Sequence, residues 1–304
     1  FIGGTDESLN IRLYLLKQVL DAMNIRDEDG QDIRVVGIAS PSIAVKMGIK
    51  RHDYIDMFKT GSHEHYTKHI TKTLKHIGVE RIITAGASLG GMVSAQLIEY
   101  ILDKGVQDAK GAAIANPPGQ GRARGNIPWS MYKSLRRYNN SGGNTRELVE
   151  NSQLQPLIDI LPKGLEYNGR QFPKIDRALD IGNMVCRTMG HAGNLGLWRV
   201  LSERTTPPAM ERALMHGVPT GYFFSPGDRV PYLRKGLEEV NRLKSQFPDL
   251  LDVGYVANQE VAHEIVSDPR LMTAFYVKLV QRVLSESVQQ EEQEDNKLAN
   301  LVLQ

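Results

Sequence analysis

The stretch Gly86-Ala87-Ser88-Leu89-Gly90, with Gly91 directly behind it, constrains this chain more than any other. The apolar run Arg81-Ile82-Ile83-Thr84-Ala85 before it reads as a buried strand, and Met92 to Leu102 after it reads as a helix packed on that strand. G-x-S-x-G between a strand and a helix describes a sharp turn with a serine at its tip, the nucleophile elbow. A side chain at Gly86 or Gly90 would crowd the neighbouring backbone. The Ser88 hydroxyl is predicted to point out over the sheet edge, and the Leu89 N–H to face an oxyanion developing there. The bare pattern also fits an ordinary small-residue turn; the flanking strand and helix favour the chemical reading.

Several function classes are disfavoured by composition. The net charge of +2 on 304 residues gives no global field for nucleic acid or a membrane surface. No apolar run is long enough to span a bilayer. The single cysteine, Cys186, excludes an internal disulfide and fits a reducing compartment; it leaves the location open while favouring the cytoplasm. Phe1-Ile2-Gly3-Gly4 reads as the end of a strand already under way, with the expectation that something precedes it.

Taken in order, the chain alternates. A helix buries Leu9, Leu13, Leu16, Leu20 and Met23, Asp29-Gly30 turns, and Ile33 to Ala39 is predicted as a buried strand. A short helix is placed around Tyr54 to Phe58, and a longer one over Ser62 to Ile77, capped by Ser62 and ended by Gly78. After the serine stretch comes a strand at Gly111 to Ala115, stopped by Asn116-Pro117-Pro118. Alternation then lapses for about a hundred residues, too long for one unstructured loop, so a helical layer is expected there. Its helices are placed around Trp129–Tyr138, Thr145–Leu161, Ile175–Met189 and Pro208–His216. Strands resume at Gly221 to Ser225 and Leu251 to Val256, with a helix through Leu233, Leu237, Val240 and Leu243 between them. A last helix, started by Ser267 and Pro269, buries Leu271, Phe275, Leu279 and Val283. The fold class is therefore α/β: a mostly parallel sheet with helices on both faces. The core spans 1–116 and 219–285, a helical cap or lid 117–218, and an acidic tail 286–304. That tail is either solvated or a docking helix for another copy of the chain.

Ligands of such sheets bind beyond the carboxyl ends of the strands. Three residues fall just past strand ends: Ser88, Asp228 in Gly227-Asp228-Arg229-Val230-Pro231, and His263 in Ala262-His263-Glu264. In this order and context the chain resembles an α/β-hydrolase with a helical cap inserted before the acid-bearing strand. The resemblance runs from Gly3 to about Leu284. It implies further strands before the one ending near Gly3, which this chain lacks. The family more often has glycine where Ala262 precedes the histidine.

The resemblance implies the roles. Ser88 attacks an acyl carbon, His263 takes and later returns its proton, and Asp228 holds the imidazole. Leu89 N–H and a first-loop N–H near Gly4 form the oxyanion hole. The expected activity is a serine hydrolase cleaving an ester or related acyl bond of a medium-sized, partly apolar small molecule, without metal or organic cofactor. Amidase, thioesterase and acyltransferase chemistry use the same machinery. A non-catalytic binding protein on the same scaffold is the rival class. Trp129, Tyr132, His191 and Trp198 in the cap are candidate pocket lining, although the cap's own core would use the same residue types.

Other features are weaker. His65 and His69 have metal-ligand spacing, yet Lys68 and Lys72 beside them repel a cation, and a surface helix accounts for them. Arg122, Arg124, Lys133, Arg136 and Arg137 read as a solvated face more readily than as an anion site. Gly119-Gln120-Gly121 lacks the Lys-Ser/Thr of a phosphate loop. Asp252 and Asp268 are rival carboxylates, but one begins a strand and the other a helix.

Overall fold

Among the described residues, four apolar runs pair into one sheet. In the computed structural model these are β1 (Arg81–Ala87), β2 (Asp108–Ala115), β3 (Thr220–Phe224) and β4 (Leu251–Tyr255). Their order is β1-β2-β3-β4 and every pair is parallel. The structure describes residues 9–38, 55–56, 59–60, 62, 64–118, 120, 155–163, 203, 205–225, 228, 233–255 and 270–285.

Parallel neighbours need crossovers, and helices supply them. The helices are α1 (Leu9–Ala22), α2 (Glu64–His76), α3 (Leu89–Lys104), the single turn α4 (Gln155–Ile158), α5 (Thr206–Met215), α6 (Leu233–Gln246) and α7 (270–285). Strand side chains alternate between two covered faces. Ala85, Ala87, Ala113, Ala115 and Phe223 face a core built with α1 and α7, through Leu16, Leu20, Phe275 and Leu279. Ala112, Ile114, Tyr222 and Phe224 face the opposite core with α3, α5 and α6, through Ile98, Met210, Leu214 and Leu243. Ile82 packs with α2 and α3. Gly111 lets α7 come close: a Cβ there would lie 2.8 Å from Cγ2 of Val283.

Local signals end the helices where the sequence places them. Ser62 Oγ accepts the Glu64 N–H at 3.1 Å, and Gly78 takes φ 74 after α2. Gly105 closes α3 in the left-handed region. Pro207 and Pro208 open α5, where the first N–H groups have no intrahelical partner to lose. In α7, Leu271, Phe275, Leu279 and Val283 are buried as their spacing predicts. β2 begins three residues earlier than predicted, because Asp108 pairs with Arg81 and the register slips between Ile82 and Ile83.

One predicted strand differs. Residues 33–37 are not a strand of the sheet formed by the described residues. Their side chains still alternate as an extended chain would: Ile33 and Val35 pack with the α1–α7 core, Val36 and Ile38 with the α2–α3 core. The segment is tied instead at its start. Arg26 and Asp32 form an isolated antiparallel bridge, and Asp27 Oδ1 accepts the N–H groups of Asp29 and Gln31. A cavity of about 510 Å³ separates it from β1, lined by Ile33, Val35, Ile83, Leu74, Tyr276 and Val280 among others.

The cap helices around 129–138 and 175–189, most of 145–161, and the tail 286–304 lie outside the described residues, as does the Ser267 cap.

Candidate active site

β1 delivers the chain to Ser88, and α3 begins one residue later. Ser88 adopts φ 54 and ψ −128, a region almost confined to glycine. The surroundings enforce this. The Ser88 N–H donates to the Ala115 carbonyl at 2.8 Å, while the Ser88 carbonyl accepts the N–H groups of Gly91 at 3.0 Å and Met92 at 3.2 Å. The residue is thus pinned to β2 on one side and to α3 on the other. Its side chain makes no capping hydrogen bond to α3. A Cβ on Gly86 would run into the Gly90 carbonyl and lie 2.8 Å from Ser94 Oγ. The glycine is required by that close approach. Leu89, the first residue of α3, is 2% exposed, and its N–H belongs to the helix's first-turn donors.

The sheet edge that carries Ser88 also carries Asp228. Asp228 lies beyond the carboxyl end of β3, 1% exposed, with its N–H donating to the Ser225 carbonyl at 3.0 Å. β1 and β3 flank β2, so the two turns are separated by two strand spacings, about 10 Å. The rival Asp252 sits at the amino end of β4, ion-paired with Arg282 at 3.1 Å, on the wrong side of the sheet for this site.

A buried polar cluster lies at the same ends of β2 and β3, with Tyr222 close enough to feel the charge of Asp228. The Tyr222 hydroxyl accepts from Gln120 Nε2 at 2.9 Å, and Gln120 Nε2 also reaches the Pro117 carbonyl at 3.3 Å. Burial pushes the Tyr222 phenol well above its ordinary range, and the nearby charge of Asp228 pushes it further. Asn116, at the end of β2, accepts the Ser225 N–H on Oδ1 at 2.8 Å. Sequence reasoning used Asn116 only as a strand stop and missed Tyr222 and Gln120. Nothing local marks these residues, because their partners lie up to 109 positions away.

The other predicted site residues, His263, Gly4, Trp129, Tyr132, His191 and Trp198, lie outside the described residues. His65 is met by Asp56 at 3.4 Å, and no group of metal-ligating side chains occurs among the described residues. No helix among them is long and apolar enough to cross a membrane.

A serine forced into a strained turn between a parallel strand and its crossover helix, with a buried carboxylate beyond the next strand but one, decides the architecture. This is an α/β-hydrolase-like fold. No family model matches the chain, and no curated protein matches it in sequence. Three similar solved structures are remote in sequence. An N-formylmaleamic acid deformylase from Pseudomonas putida is 12% identical, covering 91% of this chain and 89% of its own, with a TM-score of 0.48. A bacterial membrane phospholipase A is 17% identical over 93% of this chain and 77% of its own, also at 0.48. A thermophilic esterase from Thermogutta terrifontis is 14% identical over 93% and 89%, at 0.45. At these values the fold assignment rests on the sheet and its turns.

Proposed function

We propose that this protein is a serine hydrolase that cleaves an ester or related acyl bond through an acyl-enzyme. The observation that carries the reading is the backbone of Ser88 at φ 54, ψ −128. Such strain persists where surrounding structure over-determines it, and it concentrates at reacting residues. An ordinary turn between strand and helix has no need of it, since glycine would adopt it without cost. The strained turn, flanked by Gly86 and Gly90, is read as the nucleophile elbow.

In this mechanism Ser88 Oγ attacks the acyl carbon while the His263 imidazole accepts its proton. Negative charge gathers on the former carbonyl oxygen. The Leu89 N–H, at the positive end of the α3 dipole, and a first-loop N–H near Gly4 stabilise it. The imidazolium returns the proton to the leaving alcohol, and the acyl group stays on Ser88. Water then repeats the sequence: His263 takes its proton, the hydroxide attacks the acyl carbon, and Ser88 recovers its hydrogen. Asp228 orients the imidazole and stabilises its charged form. Its burial supports that role, because a carboxylate removed from water interacts more strongly with a neighbouring cation. The segment between β2 and α5 acts as the cap, with Trp129, Tyr132, His191 and Trp198 shaping a partly apolar acyl pocket; α5, expected as part of that cap, packs instead on the sheet with α3.

The test is labelling by a fluorophosphonate. Wild-type protein is expected to react at Ser88, and folded Ser88→Ala to remain unlabelled. Lack of reaction by folded wild type would instead favour a non-catalytic binding protein. A panel of p-nitrophenyl esters of graded chain length, with matching thioesters and anilides, then separates esterase from thioesterase and amidase activity.

A further inference from the structure

We infer that Asn116 is a positioning residue for the acid: its side-chain carbonyl, held at the end of β2 between the Ser88 turn and the Asp228 turn, fixes the backbone from which Asp228 projects. The inference rests on the hydrolase reading above.

Two consecutive residues join the two turns. The Ala115 carbonyl accepts the Ser88 N–H at 2.8 Å. One position on, the Asn116 N–H donates to the Phe223 carbonyl at 2.8 Å, and Asn116 Oδ1 accepts the Ser225 N–H at 2.8 Å. The Ser225 carbonyl in turn accepts the Asp228 N–H at 3.0 Å. A continuous hydrogen-bonded path therefore runs from the nucleophile's backbone to the acid's backbone across the end of β2. A backbone N–H can only donate, so the side-chain atom facing Ser225 is the oxygen. Asn116 and Ser225 are 1% and 0% exposed, so water cannot take over that bond if it is lost.

Asn116 is held there against two costs. Its φ of 41 lies in the left-handed region, which asparagine tolerates but does not prefer. Its Nδ2 is buried and has no hydrogen-bond partner among the described residues. Glycine would end the strand without either cost. What asparagine adds is the acceptor for Ser225. Without it the 225–228 turn gains freedom, Asp228 holds the imidazole less well, and the imidazolium is less stable.

The experiment measures the second-order rate of fluorophosphonate reaction at Ser88 against pH. This step forms the Ser Oγ–P bond, expels fluoride and passes the hydroxyl proton to the imidazole, so its acid limb reports imidazole protonation whatever the natural substrate. Asn116→Gly relieves the strain and removes the acceptor. It is expected to fold, to react about tenfold or more slowly at the plateau, and to have its acid limb moved to lower pH. Asn116→Asp keeps an oxygen for Ser225 and adds negative charge beside the acid turn, so its limb moves to higher pH. A merely structural role would leave the limb of Asn116→Gly in place, whatever the added charge does to that of Asn116→Asp. A wild-type rate and limb in folded Asn116→Gly, or a lowered limb in Asn116→Asp, overturns the inference while leaving the hydrolase reading intact. If Asn116→Gly does not fold, Asn116→Ala, which also removes the acceptor, decides in its place: a lowered limb supports the inference and an unmoved or raised one overturns it. Failure of the wild type to react at Ser88 overturns the hydrolase reading and this inference with it.

Discussion

The backbone N–H of Ser88 donates to the carbonyl of Ala115 across 2.8 Å, one residue beyond the last paired position of β1. The bond extends the β1–β2 ladder into the turn and holds Ser88 at φ 54 while α3 pulls its carbonyl the other way. Strain at the serine is thus maintained by two rigid elements rather than by its own preference.

That strain can be released. Ser88→Gly removes the Cβ that makes φ 54 costly. Strain of this kind is worth about 1–3 kcal/mol, partly offset by the greater chain entropy glycine loses on folding. Ser88→Gly is therefore expected to melt a few degrees above wild type while losing all fluorophosphonate reactivity. Differential scanning calorimetry checks it, and a lower melting temperature would contradict the strain assignment.

Gly86 has the opposite sensitivity. Its missing Cβ is the space occupied by the Gly90 carbonyl, which is backbone and cannot rotate away. Gly86→Ala is expected to cost about 3 kcal/mol or more, through displacement of α3 from β1. Urea unfolding measures it. A cost below about 1 kcal/mol would show that the turn relaxes easily.

Glu99 on α3 is half-buried, and desolvation raises its pKa, helped by the charge of Asp103 and opposed by Arg212. The folded state therefore holds this proton more tightly than the unfolded chain does. Stability contributed by the neutral form is present below the unfolded pKa and is lost as pH rises through the folded one. Glu99→Gln is expected to be more stable than wild type at pH 7. The advantage should shrink on acidification and vanish below about pH 4. Melting temperatures of both proteins from pH 3.5 to 8 provide the comparison, and a constant difference would rule out the titration.

Arg81, at the amino end of β1, meets Asp27, Glu28 and Asp29, while Lys110 meets Glu28 at 3.6 Å and Asp108 at 3.0 Å. Most of these groups are partly exposed, so water and salt screen them. Arg81→Ala is expected to cost no more than about 1 kcal/mol at low salt, with the difference fading by about 0.5 M sodium chloride. Fluorophosphonate reactivity should be unchanged, because the cluster lies at the end of the sheet opposite Ser88.

The sequence by itself marked most of the described elements and the position of the serine turn, but not the fate of the predicted strand at 33–39. Apolar spacing at Leu271, Phe275, Leu279 and Val283 marked a buried helix face, and glycines around Ser88 marked a turn where backbones approach closely. Such signals are local: a helix's period and a turn's steric demands are written within about ten residues. Tertiary structure alone decided what depends on distant partners. It fixed the order and register of the strands, left 33–37 extended outside the four-stranded sheet of the described residues, and separated the buried Asp228 from the ion-paired Asp252. It also gave Asn116 a partner 109 residues away. A hydrogen bond between residues so far apart depends on how the whole sheet assembles, and no short stretch of chain carries that information.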